Sequence, residues 1–187
     1  MQLNLGCGKR QIPGFVHVDL ADFPHIDYKQ DVRDLSCFGD HTVELIYACH
    51  VLEYFDREEA LRVLTEWKRV LKPGGIIRLA VPDAEALFEV YRRTRDLSLI
   101  LGPLYGRSSI QETASDVYLY HKTIYDFTSL KQALESCGFS DVRKYDWRKT
   151  IHKDYDDFSQ AYFPHMDKEN GLLISLNVEA IKLPENP

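Results

Sequence analysis

Two glycines, two aspartates and two histidines are the residues of this sequence whose types and spacing could do chemistry. Gly6 and Gly8 flank Cys7 in LNLGCGKR, directly after a short apolar run, where a strand can turn tightly enough for backbone to lie against a ligand. Asp19 ends the next apolar run, in HVDL, and a carboxylate there can accept hydrogen bonds from both hydroxyls of a ribose. Asp31 follows IDYKQ with Val32 beside it, so one can accept from an adenine amino group while the other covers the ring. Each alone could be a turn or a cap. Their recurrence at successive strand ends points to a nucleoside. The third glycine of a dinucleotide fingerprint would fall at Gln11, and Gly6 and Asp19 are 13 residues apart, short of the roughly 20 that a pyrophosphate seat and crossover helix need. A nucleoside without phosphates is the expected ligand. His50, after the fourth apolar run, and His121, in LYHKTIYDF, are the neutral bases able to take a proton from a hydroxyl.

The elements that must hold these residues alternate in type. Residues 2–5, 15–19, 26–28 and 43–47 read as strands, and 56–71 as a helix with Asp56 as N-cap and Glu58 and Glu59 in its first turn. Pro73, Gly74 and Gly75 stop that helix, and IIRLAV at 76–81 is a strand buried on both faces. A helix follows over about 83–95, for which Asp83 is either a cap or a residue of the rim. The pattern then weakens over 96–120, which reads as an insertion or lid. A helix at 128–137, a strand at 141–147, a polar aromatic-rich connection at 148–170 and a β run at 171–183 complete the chain. Strands alternating with helices argue for a single α/β domain over 1–187, around a mainly parallel sheet.

With 187 residues and a formal net charge of −6, the chain has room for one substantial core and disfavours a nucleic-acid partner. Arg92, Arg93 and Arg95 read as a solvated face. No apolar run approaches the roughly 20 residues that cross a bilayer. The first strand begins at residue 2, so no export signal is expected, and four scattered cysteines without a CxxC pair fit reduced thiols in a cytoplasm. No metal site is expected. The run HKDYDD at 152–157 lacks the EF-hand spacing and reads as a charged loop.

LNLGCG, HVDL, QDVRDL, VELIYACHVLEYF and RVLKPGGIIRLAVPD, taken in order, resemble the motifs of the class I S-adenosylmethionine-dependent methyltransferases, over residues 2–83. A looser likeness continues through DFTSLKQALESCGFSDV. The resemblance implies a Rossmann-like α/β fold, with a seven-stranded mixed sheet in the order 3-2-1-4-5-7-6, the last strand antiparallel, and helices on both faces. It implies S-adenosylmethionine as methyl donor, S-adenosylhomocysteine as product, and a cofactor-binding set of Leu5, Gly6, Cys7, Gly8, Asp19, Leu20, Asp31, Val32, Cys49 and His50. Arg10 and Tyr54 depart from the family pattern.

The expected reaction is methyl transfer to a small-molecule or sugar-containing, glycan-precursor acceptor, most simply at oxygen, with His50 or His121 as catalytic base. Tyrosines 118, 120, 125, 155 and 162 with Phe163 are candidates for the acceptor pocket. The alternatives are a nicotinamide-dependent oxidoreductase and a non-catalytic nucleoside-binding interaction protein.

Overall fold

Leu3, Leu5, Ile46, Ala48, Leu79 and Val81 are all but inaccessible to solvent, as central strands of a parallel sheet must be. In a computed structural model that describes residues 1–109 and 118–184, their strands lie side by side. Strands β1 (Gln2–Leu5), β2 (Val16–Asp19), β3 (Tyr28–Lys29), β4 (Val43–Cys49) and β5 (Leu71–Pro82) run parallel. The helices are α1 (Arg57–Val70), α2 (Ala84–Thr94), α3 (Ser98–Tyr105) and α4 (Phe127–Ser136). Two short strands, β6 (Ser108–Ser109) and β7 (Tyr118–Leu119), pair with each other. After α4 come β8 (Phe139–Lys144), β9 (Tyr162–Phe163), β10 (Leu172–Leu173) and β11 (Ser175–Lys182). Strand β11 inserts between β5 and β8, antiparallel to both, so the sheet order is β3-β2-β1-β4-β5-β11-β8. Counting only the strands of this sheet, that is the expected 3-2-1-4-5-7-6.

Strand alternation divides the sheet into two faces covered in different ways. One is apolar throughout. Against it α1 buries Ala60, Val63, Leu64, Trp67 and Val70, and α4 buries Leu130 and Leu134, in one core with Leu3, Ile46 and Val178. Helix α1 begins where its sequence dictates: Asp56 accepts from the backbone N–H groups of Glu58 and Glu59 at 2.9 and 2.8 Å, and Glu59 Oε2 accepts from Asp56 N–H at 3.1 Å. On the other face Leu45 and Tyr47 meet Ile12 and Phe15. Here a strap of chain with two 3₁₀ turns, Trp147–Lys149 and Phe158–Gln160, crosses the sheet. Tyr47 Oη donates to Asp157 Oδ2 at 2.6 Å, the His152 ring stacks on Tyr47 at 4.0 Å, and Asn177 Nδ2 donates to the Ser159 carbonyl at 2.8 Å. Helices α2 and α3 pack through Leu87, Val90 and Ile100 against Phe163 and Leu172 of the β9–β10 hairpin.

Several boundaries differ from the sequence expectation. The insertion over 96–120 opens with a helix, α3, because the Asp96 carboxylate accepts from Ser98 N–H and Oγ–H while Ile100 is buried; residues 110–117 of that segment lie outside the described residues. Pro73, Gly74 and Gly75 do not separate a helix from a strand: they form a bulge within β5, whose register with β4 shifts between Val43 and Leu45. The strand expected at 141–147 is β8, ending at Lys144, and the β run at 171–183 is two strands, β10 and β11. Within 152–157, expected to be a solvated loop, His152 and Asp157 are buried. Among the described residues, no helix is long and apolar enough to cross a membrane.

Candidate functional site

The chain between β1 and β2 forms no helix, so the glycine turn is held by individual bonds. Gly6 N–H donates to Val18 O at 2.8 Å, Ile12 N–H to the buried His17 Nε2 at 2.9 Å, and the His25 ring meets Gly8 O at 3.0 Å. Gly6 has φ +62°, and a Cβ there would stand 2.5 Å from Val51 Cγ2, so only glycine lets the turn lie this close to the chain leaving β4. Gly8, with φ +54°, has nothing within 4 Å on the side a Cβ would take. Asp19 is locked beneath the turn: Oδ2 accepts from Gly8 N–H at 2.7 Å and Oδ1 from Ala21 N–H at 2.8 Å. Each oxygen keeps a second lone pair for a ligand.

These residues open on a cavity of about 1750 Å³ at the carboxyl ends of β1, β2 and β4. Of the residues expected to bind or act, Gly6, Cys7, Gly8, Asp19, Leu20, Asp31, Val32, Cys49, His50 and His121 all line it. Leu5 does not: it is wholly buried in the apolar core on the helical face. Asp31 accepts from Arg33 Nε and Nη2 on Oδ2, at 2.9 and 2.6 Å, and from Arg33 N–H on Oδ1 at 2.9 Å. Burial raises the Asp31 carboxyl, but the bonds and charge of Arg33 outweigh it and set it below the ordinary carboxylate range. Asp31 is therefore an ionised acceptor with room left on Oδ1. Burial, reinforced by the Asp19 charge, pushes the Cys7 thiol up to about 12, and burial next to Asp157 raises the Cys49 thiol well above its usual range. Both stay protonated and serve as cavity wall.

At the inner end of the cavity lies a cluster that the sequence reading did not assemble. His50 leaves β4 with φ +56°, a left-handed backbone held by its N–H bond to Ala80 O at 2.8 Å. Its Nδ1 is 3.1 Å from Oε1 of Glu53 and its Nε2 is 3.5 Å from Ser175 Oγ. Glu53 is completely buried, and neither of its carboxylate oxygens has a hydrogen bond. His121 Nε2 is 3.9 Å from the same Oε1, while Nδ1 meets Pro103 O at 2.9 Å. Burial lowers the His121 pKa despite the Glu53 charge, which favours the neutral ring. Tyr54 stands edge-on to His121 at 4.7 Å. The signal for Glu53 was one carboxylate inside the apolar run HVLEYF.

The strap closes the outer side. Arg10 Nε donates to Asp156 O at 3.0 Å, and its guanidinium lies 4.8 Å from the Phe158 ring centre, with Phe158 in turn 5.2 Å from the ring of His50. Arg10 thus ties the glycine turn to the strap. Tyr118, Tyr120 and Tyr162 line the cavity, whereas Tyr125 is buried behind it. Asp83 caps α2, accepting from Glu85 N–H at 3.0 Å, and Arg92 and Arg93 pair with Glu89 on its exposed side. Among the described residues, no group of three or more His, Cys, Asp or Glu side chains could hold a metal ion.

Residues 3–79 match the sequence profile of the methyltransferase domain family. No curated protein matches the chain. Among solved structures, an S-adenosylmethionine-dependent methyltransferase from Methanosarcina mazei aligns over 98% of this chain and 92% of its own, with 18% identity and a TM-score of 0.60. One from Archaeoglobus fulgidus aligns over 97% and 85%, with 16% identity and a TM-score of 0.58. The CurJ carbon methyltransferase aligns over 98% of this chain and 48% of its own, with 18% identity and a TM-score of 0.55. At these identities the likeness establishes the shared fold.

Proposed function

We propose that the chain, whose residues 3–79 match the methyltransferase domain family, is a class I S-adenosylmethionine-dependent methyltransferase that methylates a hydroxyl of a small-molecule or sugar-containing acceptor. When bound, S-adenosylmethionine supplies a methyl group on a sulfonium sulfur, a reaction whose barrier falls chiefly through alignment. Gly6 and Gly8 give the methionine portion a close backbone approach. Asp19, oriented by the Gly8 and Ala21 amides, accepts from the ribose hydroxyls. Asp31 accepts from the adenine amino group while Val32 covers the ring. The carrying observation is the Asp19 carboxylate bonded to the glycine turn itself, because it sets a hydroxyl acceptor and a close-approach backbone on one wall. His50 at the inner end takes the acceptor proton; His121, with one nitrogen on Pro103 O and the other toward Glu53, holds the wall beside it.

The cavity exceeds the roughly 300–1,000 Å³ of a typical single-ligand site, which supports an acceptor bound in the same space, against the described residues 102–108 and 118–120 and the strap at 156–162. The net charge of −6 supports a small acceptor over nucleic acid, and the free cysteines fit a cytoplasmic setting. A nicotinamide dinucleotide would need a helix N-terminus at the glycine turn for its pyrophosphate, and among the described residues no helix begins before Leu52.

Isothermal calorimetry with S-adenosylhomocysteine tests the reading. Binding is expected in the wild type and at least tenfold weaker binding in Asp19→Ala, whereas wild-type protein that binds NAD and not S-adenosylhomocysteine refutes it.

A further inference from the structure

Glu53 is fully buried and its side chain has no hydrogen bond, and burying an unsatisfied polar group is costly enough to need a reason. Its main chain has one: the Glu53 carbonyl accepts from Lys122 N–H at 2.8 Å and Thr123 N–H at 3.2 Å, joining the turn at Leu52–Tyr54 to the segment carrying His121. The side chain is aimed elsewhere, with Oε1 facing His50 Nδ1 at 3.1 Å and His121 Nε2 at 3.9 Å.

We propose that Glu53 is a positioning residue that fixes the proton of neutral His50 on Nδ1 and so leaves Nε2 bare to accept the proton of the methyl acceptor; this rests on the reading of His50 as the base. The surrounding bonds decide between the two tautomers. Asn177 Nδ2 donates to Ser159 O, which turns Oδ1 of Asn177 toward Ser175, and Ser175 Oγ donates its proton to that oxygen at 3.0 Å. Ser175 Oγ therefore presents a lone pair to His50 Nε2 across 3.5 Å. Two acceptors thus compete for one imidazole proton. The Glu53 carboxylate faces Nδ1 at 3.1 Å while the Ser175 hydroxyl faces Nε2 at 3.5 Å, and the nearer carboxylate draws the proton to Nδ1. His121 does not compete for the same oxygen with a donor, since its own proton sits on Nδ1, facing the Pro103 carbonyl at 2.9 Å.

The transfer then balances. The acceptor O–H bond breaks toward Nε2 of His50, a bond forms between acceptor oxygen and methyl carbon, and the carbon–sulfur bond breaks with its electron pair left on sulfur. The resulting imidazolium keeps its Nδ1 proton toward Glu53 and carries the acceptor's proton on Nε2.

The test is nitrogen NMR of the full chain labelled with ¹⁵N-histidine, His50 being assigned by the signals lost in His50→Gln. The expected wild-type spectrum of the neutral ring has a protonated Nδ1 and a bare Nε2 at His50. In Glu53→Leu, which replaces a buried unpaired carboxylate by an apolar side chain, the proton moves to Nε2 and its Ser175 partner. A wild-type His50 protonated at Nε2 overturns the proposal by itself, whether or not the variant folds. So does a folded Glu53→Leu that keeps the proton on Nδ1. No cofactor enters this measurement, so its failure is distinguishable from a failure to bind S-adenosylhomocysteine.

Discussion

Replacing Gly6 by alanine strikes the point where the turn touches the chain leaving β4, and its cost can be built from two separate parts. The first is conformational: alanine at φ +62° sits in the left-handed region, at about 1–2 kcal/mol. The second is steric. The new methyl would meet Val51 Cγ2 at 2.5 Å, and because Val51 is buried it cannot step aside freely, which adds roughly 1–3 kcal/mol of overpacking. Gly6→Ala is thus expected to lose about 2–5 kcal/mol of stability by urea denaturation at unchanged m-value. Only the second part depends on Val51. Val51→Ala alone should cost roughly 2 kcal/mol for its lost methyl groups, but in the double variant it also removes the clash, so the pair should be more stable than the sum of singles by about 1–3 kcal/mol. Additive losses would show that the Val51 contact does not constrain this turn, and a Gly6→Ala cost below about 1 kcal/mol would show that neither the strain nor the contact does.

Other expectations follow from the strap. His152 is buried with neither ring nitrogen bonded, and burial, only partly opposed by the Asp157 charge, holds its pKa down at about 4. Because the unfolded chain binds the proton more readily, stability is complete above about pH 6.5 and falls by roughly 3 kcal/mol as pH drops to 4; His152→Phe, which keeps the ring against Tyr47, should flatten that part of the pH–stability curve. Arg10→Ala removes one hydrogen bond to Asp156 O and the contact with Phe158, so it should shift stability by no more than about 1 kcal/mol yet speed S-adenosylhomocysteine release several-fold in stopped-flow displacement. An unchanged release rate would mean that Arg10 does not hold the strap closed.

What could be read in the sequence was whatever depended on neighbours in the chain. The strand at Gln2–Leu5, the Asp56–Glu59 cap and the α1 face carrying Ala60, Leu64 and Trp67 all follow from residues within a few positions of one another. The wall formed by Gly6, Asp19 and Asp31 was also legible, because parallel strands bring successive carboxyl ends together. What stayed hidden was set by distant partners. Asp157 looked solvated because its partner, Tyr47, is 110 residues away, and Arg10 had no meaning until Asp156 stood over it. Pro73 to Gly75 carried a strong stop signal, yet β4, pairing with Leu71 before them and Ile76 after them, draws the chain into one bulged strand. Glu53, flanked by Leu52 and Tyr54, carries no local mark of its burial, which depends on how the turn after β4 packs against the segment at His121.

The unequal covering of the sheet separates two events that a symmetric sandwich would couple. On the α1 and α4 side, any opening exposes a continuous apolar core and amounts to global unfolding. On the strap side, releasing Asp157 from Tyr47, Ser159 from Asn177 and Asp156 from Arg10 breaks a handful of polar contacts and uncovers the ligand cavity with that core intact. Ligand exchange and unfolding then draw on different reserves of free energy, and hydrogen exchange should show a strap that opens many times for each time the helices on the far side come away.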